Sequence, residues 1–216
     1  MVTNITARYK FIVASMVDEF TALPLGHVTL RKTCFLLGFI TMKHKETPIE
    51  DSGVNLNDGL RRKVEALGVA LRKKGWSVSC AESCTGGGIA FAFTSVSGSS
   101  DWFNQSWVTY SNDAKHACLN VKEATLTTYG AVSQNTVAEM ATGAQDKSGA
   151  NVVVTVSGIA GPGGGSSDKP VGTVWFGFIC GERKREIKQL FAGGRDAVRA
   201  QAVTFAISEL LTMIND

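Results

Sequence analysis

Hydrophobic residues in this chain fall into a readable rhythm only after Asn57. Leu60, Val64, Leu67 and Leu71 recur at i, i+4, i+7 and i+11, one apolar helical face, and Lys73, Lys74 and Gly75 supply the usual closing residues. Trp76, Val78 and Cys80 then alternate with Ser77 and Ser79, the period of a half-buried strand. A short helix from about Gly87 places Ile89, Ala90 and Phe93 on one face; residues 106–110 read as the next strand, and helices follow over 113–119 and 122–129. Residues 133–148 form a further helix with Val137, Met140, Ala141 and Ala144 inward. Residues 151–157, with the run VVVTV, have the unbroken apolar character of a strand buried on both faces. Residues 171–180 and 186–191 read as two more strands, paired as a hairpin through Gly181 and Glu182. The last helix, 196–214, carries Val203, Ile207, Leu210 and Ile214 on one face. Helices and strands in this order predict an α/β fold with a mixed sheet and helices on both sides.

Residues 1–56 show no such period and read as an N-terminal extension, with one domain over 57–216. Their one apolar run, 34–40, is far too short to span a bilayer, and the ordered parts of a secretory signal are missing. Arg8, Lys10, Arg31, Lys32, Lys43 and Lys45 outnumber the acids, as in an organellar presequence, although Asp18 and Glu19 oppose that reading. The simpler alternative is a start codon assigned too far upstream, with Met42 the true beginning.

A net charge of +3, without a basic stripe interleaved with aromatics, argues against direct nucleic-acid contact. Five cysteines, at 34, 80, 84, 118 and 180, are an odd number without framework spacing, which fits a reducing cytoplasm better than a disulfide-stapled secreted fold. Cys80 and Cys84 stand one residue too far apart for a C-x-x-C pair, and only His27, His44 and His116 could complete a site, so no metal is expected.

The candidate chemistry centres on CAESCTGGG, residues 80–88, where a strand hands over to a helix. Its glycines suit a tight turn that leaves backbone N–H groups uncovered beside the Ser83 hydroxyl. Ser83 as nucleophile and Ser83 or Thr85 as a mere helix cap both remain open on this segment alone. Neither G-x-x-x-x-G-K-[ST] nor the elbow G-x-S-x-G occurs, since Ala81 and Thr85 hold the flanking places of the latter. Residues 158–172 are glycine-rich, but Ser166 replaces the last glycine of G-x-G-x-x-G; the segment is either a ligand-clasping lid or a surface excursion. A base for Ser83 could be His116 or Lys115, which point about 100° apart on a helix, so only one can face the site. A desolvated lysine can lose its proton near neutral pH and serve in that role. Ser166 and Lys169 match S-x-x-K only formally, with no helix to align them. Cys84 is the rival nucleophile. Arg195 and Arg199, four apart at the start of the last helix, are candidates to meet an anion.

The motifs AESCTGG (81–87), VTYSNDAK (108–115), GAVS (130–133), SGIAGPGGG (157–165), KPVGTVWF (169–176) and GGRDAVRAQA (193–202) resemble, in order, the family of CinA C-terminal domains. The stand-alone members of that family are nicotinamide-nucleotide amidases, and residues 1–56 are too short and too unlike the nucleotide-binding domain of larger CinA proteins to be one. The resemblance implies a three-layer α/β/α sandwich that hydrolyses the carboxamide of nicotinamide mononucleotide to nicotinate mononucleotide and ammonia, in pyridine nucleotide recycling. It also implies a cytoplasmic homo-oligomer with a nucleotide substrate, no cofactor and no membrane. Ser83 would be the nucleophile, Lys115 rather than His116 its base, and Tyr110 the residue that orients the pair. Glu82, Thr85, Gly86, Gly87, Ser157, Gly161, Arg195 and Arg199 are the expected substrate-binding positions. Within that set the amides of Thr85, Gly86 and Gly87 would receive the oxyanion, and Arg199 would grip the phosphate more strongly than Arg195 unless it is held by Glu82 or Asp196. The competing class is a non-catalytic binding module linked to competence or DNA damage.

Overall fold

In the computed structural model, which describes residues 56–216, the side-chain oxygen of Asn57 accepts from the Leu60 N–H at 2.8 Å and opens helix α1, Asp58–Lys74. Such a cap stabilises a helix by about 1 kcal/mol. Gly75, at φ 65°, closes it in a left-handed conformation that its missing Cβ permits. The expectations for residues 1–55, including the alternative start at Met42, lie outside the described residues.

The chain continues through β1 (Val78–Glu82), α2 (Gly88–Thr94), a single 3₁₀ turn (Ser99–Asp101), β2 (Phe103–Val108) and α3 (Asn112–Leu119). Then come α4 (Glu123–Tyr129), α5 (Gln134–Ser148), β3 (Val152–Gly158), β4 (Thr173–Cys180), β5 (Arg183–Leu190) and α6 (Arg195–Asn215). The five strands lie in the order β2-β1-β3-β4-β5, with β2, β1 and β3 parallel and β4 and β5 antiparallel additions. The sheet is therefore mixed, as the element order anticipated.

Two cores flank it. Leu67 and Leu71 of α1, Ile89 and Phe93 of α2, and Ile207 and Leu210 of α6 pack on the face that carries Val154, Val156 and Phe176. Leu119, Leu126 and Met140, from α3, α4 and α5, pack with Ala81, Val153 and Ile179 on the other. Helices on both faces give the three layers that the resemblance implied. Among the described residues α6 alone is long and apolar enough to cross a membrane, and its apolar row Val198, Ala202, Ala206, Leu210 and Met213 is buried in the first of these cores.

The strand boundaries depart most from the sequence reading at β2 and β5, each for a tertiary reason. β1 ends at Glu82, directly before Ser83 as expected, with Ala81 and Glu82 paired to Thr155 and Val156 of β3 inside the sheet, where both faces are covered. β2 lies three residues earlier at its start than the expected 106–110 and ends at Val108; as an edge strand it is only half buried and lacks a clean alternation. β5 starts at Arg183 rather than Glu186, since the opposite edge is built from Arg183, Lys184, Arg185, Glu186 and Lys188, charges that guard an unpaired edge while concealing its period.

α5 approaches its neighbours closely. A Cβ on Gly177 of β4 would stand 2.5 Å from the Val137 carbonyl, and one on Gly143 would stand 1.9 Å from the Leu119 carbonyl at the end of α3. Two glycines thus set how far α5 sinks onto the sheet and onto the helix beside it.

Candidate active site

β1 sits between β2 and β3; the connection leaving β1 runs through α2 on one face of the sheet and the connection leaving β2 through α3 on the other, so a crevice opens beyond the carboxyl ends of these parallel strands. Ser83 stands in it, as the first residue after β1. Its N–H donates to the Val156 carbonyl at 3.0 Å, and the Thr109 N–H donates to the Glu82 carbonyl at 2.8 Å, so the nucleophile candidate is moored to both neighbouring strands. Gly86 and Gly87, at φ 60° and 95°, complete the turn into α2 in a region that suits glycine.

α3 brings in Lys115. Ser111 caps that helix by accepting from the Ala114 N–H at 3.0 Å, and Lys115 follows one turn in, 1% exposed. Its Nζ donates to Ser83 Oγ at 3.1 Å and to the Thr109 carbonyl at 2.8 Å, with the Tyr110 carbonyl 3.5 Å away. No carboxylate lies within salt-bridge distance of it among the described residues. Burial without a counter-charge favours the neutral amine, and the Lys115 pKa is pushed down to about 8. His116 faces elsewhere: its Nδ1 is 2.9 Å from the Val121 carbonyl and its Nε2 is 3.8 Å from Glu123. The two alternatives for a base are thus separated by the helix itself.

Cys84 is buried, and desolvation raises its thiol to about 11, which keeps it protonated and poorly nucleophilic.

Ser83 and Lys115 form the floor of a cleft of about 270 Å³. Ser157, at the end of β3, Gly161 of the glycine-rich loop, Tyr110 and Arg195 also line it. Arg195 bridges two walls, with Nη1 donating to the Gly161 carbonyl at 3.1 Å and Nη2 to the Tyr110 hydroxyl at 3.0 Å. The loop over 159–172 is pinned at its base, where the Ile159 N–H donates to the Thr173 carbonyl and the Gly172 N–H to the Ile159 carbonyl. Farther out, Lys169 Nζ donates to the Tyr129 carbonyl at 2.9 Å, tying the loop across to the end of α4.

The structure therefore gathers Ser83, Lys115, Tyr110, Ser157, Gly161 and Arg195 around one space, and places the other expected residues behind it. Glu82 is fully buried, and its carboxylate accepts from Thr85 Oγ1 at 2.6 Å and from the N–H groups of Gly87, Ile89 and Ala90 at 3.1, 3.1 and 2.9 Å. It holds the turn and has no face toward the cleft. Gly87 N–H is committed to Glu82 and Gly86 N–H donates to the Ser83 carbonyl at 3.0 Å, so of the three amides expected to be open to an oxyanion only that of Thr85 is uncommitted. Within this turn the N–H groups of Cys84 and Thr85 make no hydrogen bond to another described residue. Arg199 is likewise withdrawn: Nη2 donates to the Thr85 carbonyl at 3.0 Å and Nη1 lies 4.0 Å from Asp196, so it braces the turn while Arg195 reaches the cleft. The Tyr110 hydroxyl engages Arg195, and it is the Thr109 and Tyr110 carbonyls that lie against Lys115 Nζ.

Sequence reasoning missed Ala131, Val132 and Ile159 as cleft walls. They fall inside or beside the motifs GAVS and SGIAGPGGG, so the motif was a signal for them, although no side-chain chemistry was. Thr109 was missed because it acts through a backbone carbonyl, which residue type does not announce.

The sequence matches the CinA C-terminal domain family over residues 61–214. It is 58% identical over 146 residues to the nicotinamide-nucleotide amidohydrolase PncC of Enterobacter agglomerans, a match that covers 67% of this chain and 89% of that protein. With the protein of the same name from Escherichia coli strain K12 it shares 50% identity over 150 residues, 68% of this chain and 89% of that one. Among solved structures, the competence/damage inducible protein CihA from Agrobacterium tumefaciens superimposes with a TM-score of 0.72 at 40% identity, covering 76% of this chain and all of that one.

Proposed function

From the premise that this chain belongs to the CinA C-terminal domain family, we propose that it is a nicotinamide-nucleotide amidohydrolase, which converts nicotinamide mononucleotide to nicotinate mononucleotide and ammonia. The observation that carries the reading is the 3.1 Å contact between Lys115 Nζ and Ser83 Oγ on the floor of the cleft.

A neutral Lys115 takes the Ser83 proton as Oγ attacks the carboxamide carbon. The negative oxygen of the tetrahedral species is received by the N–H groups of Cys84 and Thr85; losing one such donor commonly slows turnover by about 10²- to 10³-fold. The ammonium of Lys115 then returns its proton to the departing nitrogen, ammonia leaves, and an ester to Ser83 remains. Water, deprotonated by Lys115, cleaves that ester to release the carboxylate product and restore the serine. Arg195 supplies the positive charge at the cleft mouth, where a substrate phosphate replaces part of its contact with Gly161 and Tyr110.

Pyridine nucleotide recycling in the cytoplasm is the accompanying role, and the four described cysteines, all unpaired, fit a reducing compartment. Release of ammonia from nicotinamide mononucleotide by the purified protein tests the proposal directly. A protein that binds the nucleotide, or a partner, without releasing ammonia at any pH between 7 and 10 would return the reading to a binding module.

A further inference from the structure

Glu82 and Ser83 are adjacent, the last residue of β1 and the first beyond it, yet their side chains engage opposite sides of the sheet, continuing the alternation of the strand. Ser83 meets Lys115 of α3, whereas the Glu82 carboxylate turns to α2 and accepts from Thr85 Oγ1 and from the N–H groups of Gly87, Ile89 and Ala90. The Cys80 thiol, 3.6 Å from Oε1, is a fifth donor. Every contact is a donor to the carboxylate, and no cation lies within salt-bridge distance of it among the described residues. α2 has no cap of its own, since its N-cap is Gly87, and Glu82 provides one from five residues upstream.

Two of the contacts, Thr85 and Gly87, lie inside the turn that follows Ser83, and two more, Ile89 and Ala90, lie in the first turn of α2. One buried group thus ties the turn to the helix behind it. The amides of Gly86, Gly87, Gly88, Ile89 and Ala90 are all committed, whereas the Cys84 and Thr85 N–H groups make no hydrogen bond to another described residue. We infer that Glu82 is a positioning residue for the nucleophile turn: it never meets substrate, and it sets the orientation of Ser83 and of the two free amides from behind the sheet. This inference rests on the serine-amidase reading above.

Glutamine at this position keeps the volume but presents an NH₂ group to donors that need an acceptor. Thr85→Val removes one contact only, and Thr85→Ser restores the hydroxyl. Each variant is measured for kcat and KM with nicotinamide mononucleotide, for the rate at which a fluorophosphonate reagent labels Ser83, and for folded fraction by circular dichroism. In Glu82→Gln the kcat and the labelling rate fall together by about 100-fold, on the scale of a misplaced oxyanion donor, while KM stays within about threefold. Thr85→Val loses about tenfold in both rates, as for one lost hydrogen bond, and Thr85→Ser recovers most of that loss. A folded Glu82→Gln protein with native kcat and native labelling overturns the inference. If that variant does not fold, native rates in Thr85→Val overturn it, as do losses that merely follow the folded fraction. A wild-type protein that labels at Ser83 but releases no ammonia refutes the nicotinamide-nucleotide substrate, and the labelling series then decides the role of Glu82 by itself. A wild-type Ser83 that does not label refutes both.

Discussion

Lys115 Nζ and Ser83 Oγ are 3.1 Å apart although 32 residues separate them in the chain, and the lysine that makes this contact is 1% exposed with no carboxylate to balance it. Such an arrangement works against stability and favours a base. Ser83→Ala and Lys115→Ala should each lower ammonia release by about 10³-fold or more, because a unit that acts together fails when either member is removed. His116→Ala should stay within a few-fold of wild type. A dead histidine variant beside an active lysine variant would reverse the assignment.

The depressed lysine fixes a pH profile. With a pKa of about 8, only the neutral amine is a base, so kcat/KM should rise with pH and level off above about 8. An activity flat from pH 6 to 10 would exclude Lys115 as the base.

The same shift enters stability with a definite sign. The folded pKa, about 8, lies below the unfolded value of 10.5, so between these two values the unfolded chain binds more protons than the folded one. The penalty of burying the ammonium is therefore complete below pH 8 and fades as pH rises toward 10.5. Denaturant midpoints should show Lys115 contributing a rise in stability across that interval, and Lys115→Met should remove it. An identical pH dependence in both proteins would contradict the burial argument.

Arg195 and Arg199 should separate kinetically. Arg195→Ala should weaken nicotinamide mononucleotide by about tenfold or more relative to its phosphate-free riboside, since a charge-assisted contact is worth roughly 1.5 to 3 kcal/mol. Arg199→Ala should instead lower kcat and melting temperature for both substrates alike, through the turn carbonyl of Thr85 that it holds. Tyr110→Phe should resemble a mild form of Arg195→Ala, raising KM more than it lowers kcat. An Arg199 variant selective for the loss of phosphate would restore the expectation drawn from sequence.

Gly143→Ala tests how packing supports the site. The added Cβ would meet the Leu119 carbonyl at 1.9 Å, so α5 must move away from the end of the helix that carries Lys115. A loss of about 1 to 3 kcal/mol in unfolding free energy is expected, the usual scale of overpacking. An unchanged denaturant midpoint would mean that the two helices are not held at this distance.

The chain by itself determined the elements and their kind, because apolar residues at helical spacing in 60–71 and the run VVVTV in β3 are local consequences of which faces must be buried. It also marked Ser83, Lys115 and the glycines around them, since a hydroxyl, an amine and a tight turn are properties of residue type. The strands' outer limits were less legible: β5 is charged along its exposed edge, and β2, at the other edge, is only half buried and lacks a clean alternation. Which residue faces the cleft was decided by tertiary structure alone. Glu82, Arg195 and Arg199 look alike in sequence as charged neighbours of motifs, yet α2 takes the carboxylate of the first, the Thr85 carbonyl takes the guanidinium of the last, and only Arg195 reaches the space over Ser83. A charged side chain goes wherever unsatisfied backbone groups await it, and those groups exist only once helix ends and turns have been brought together.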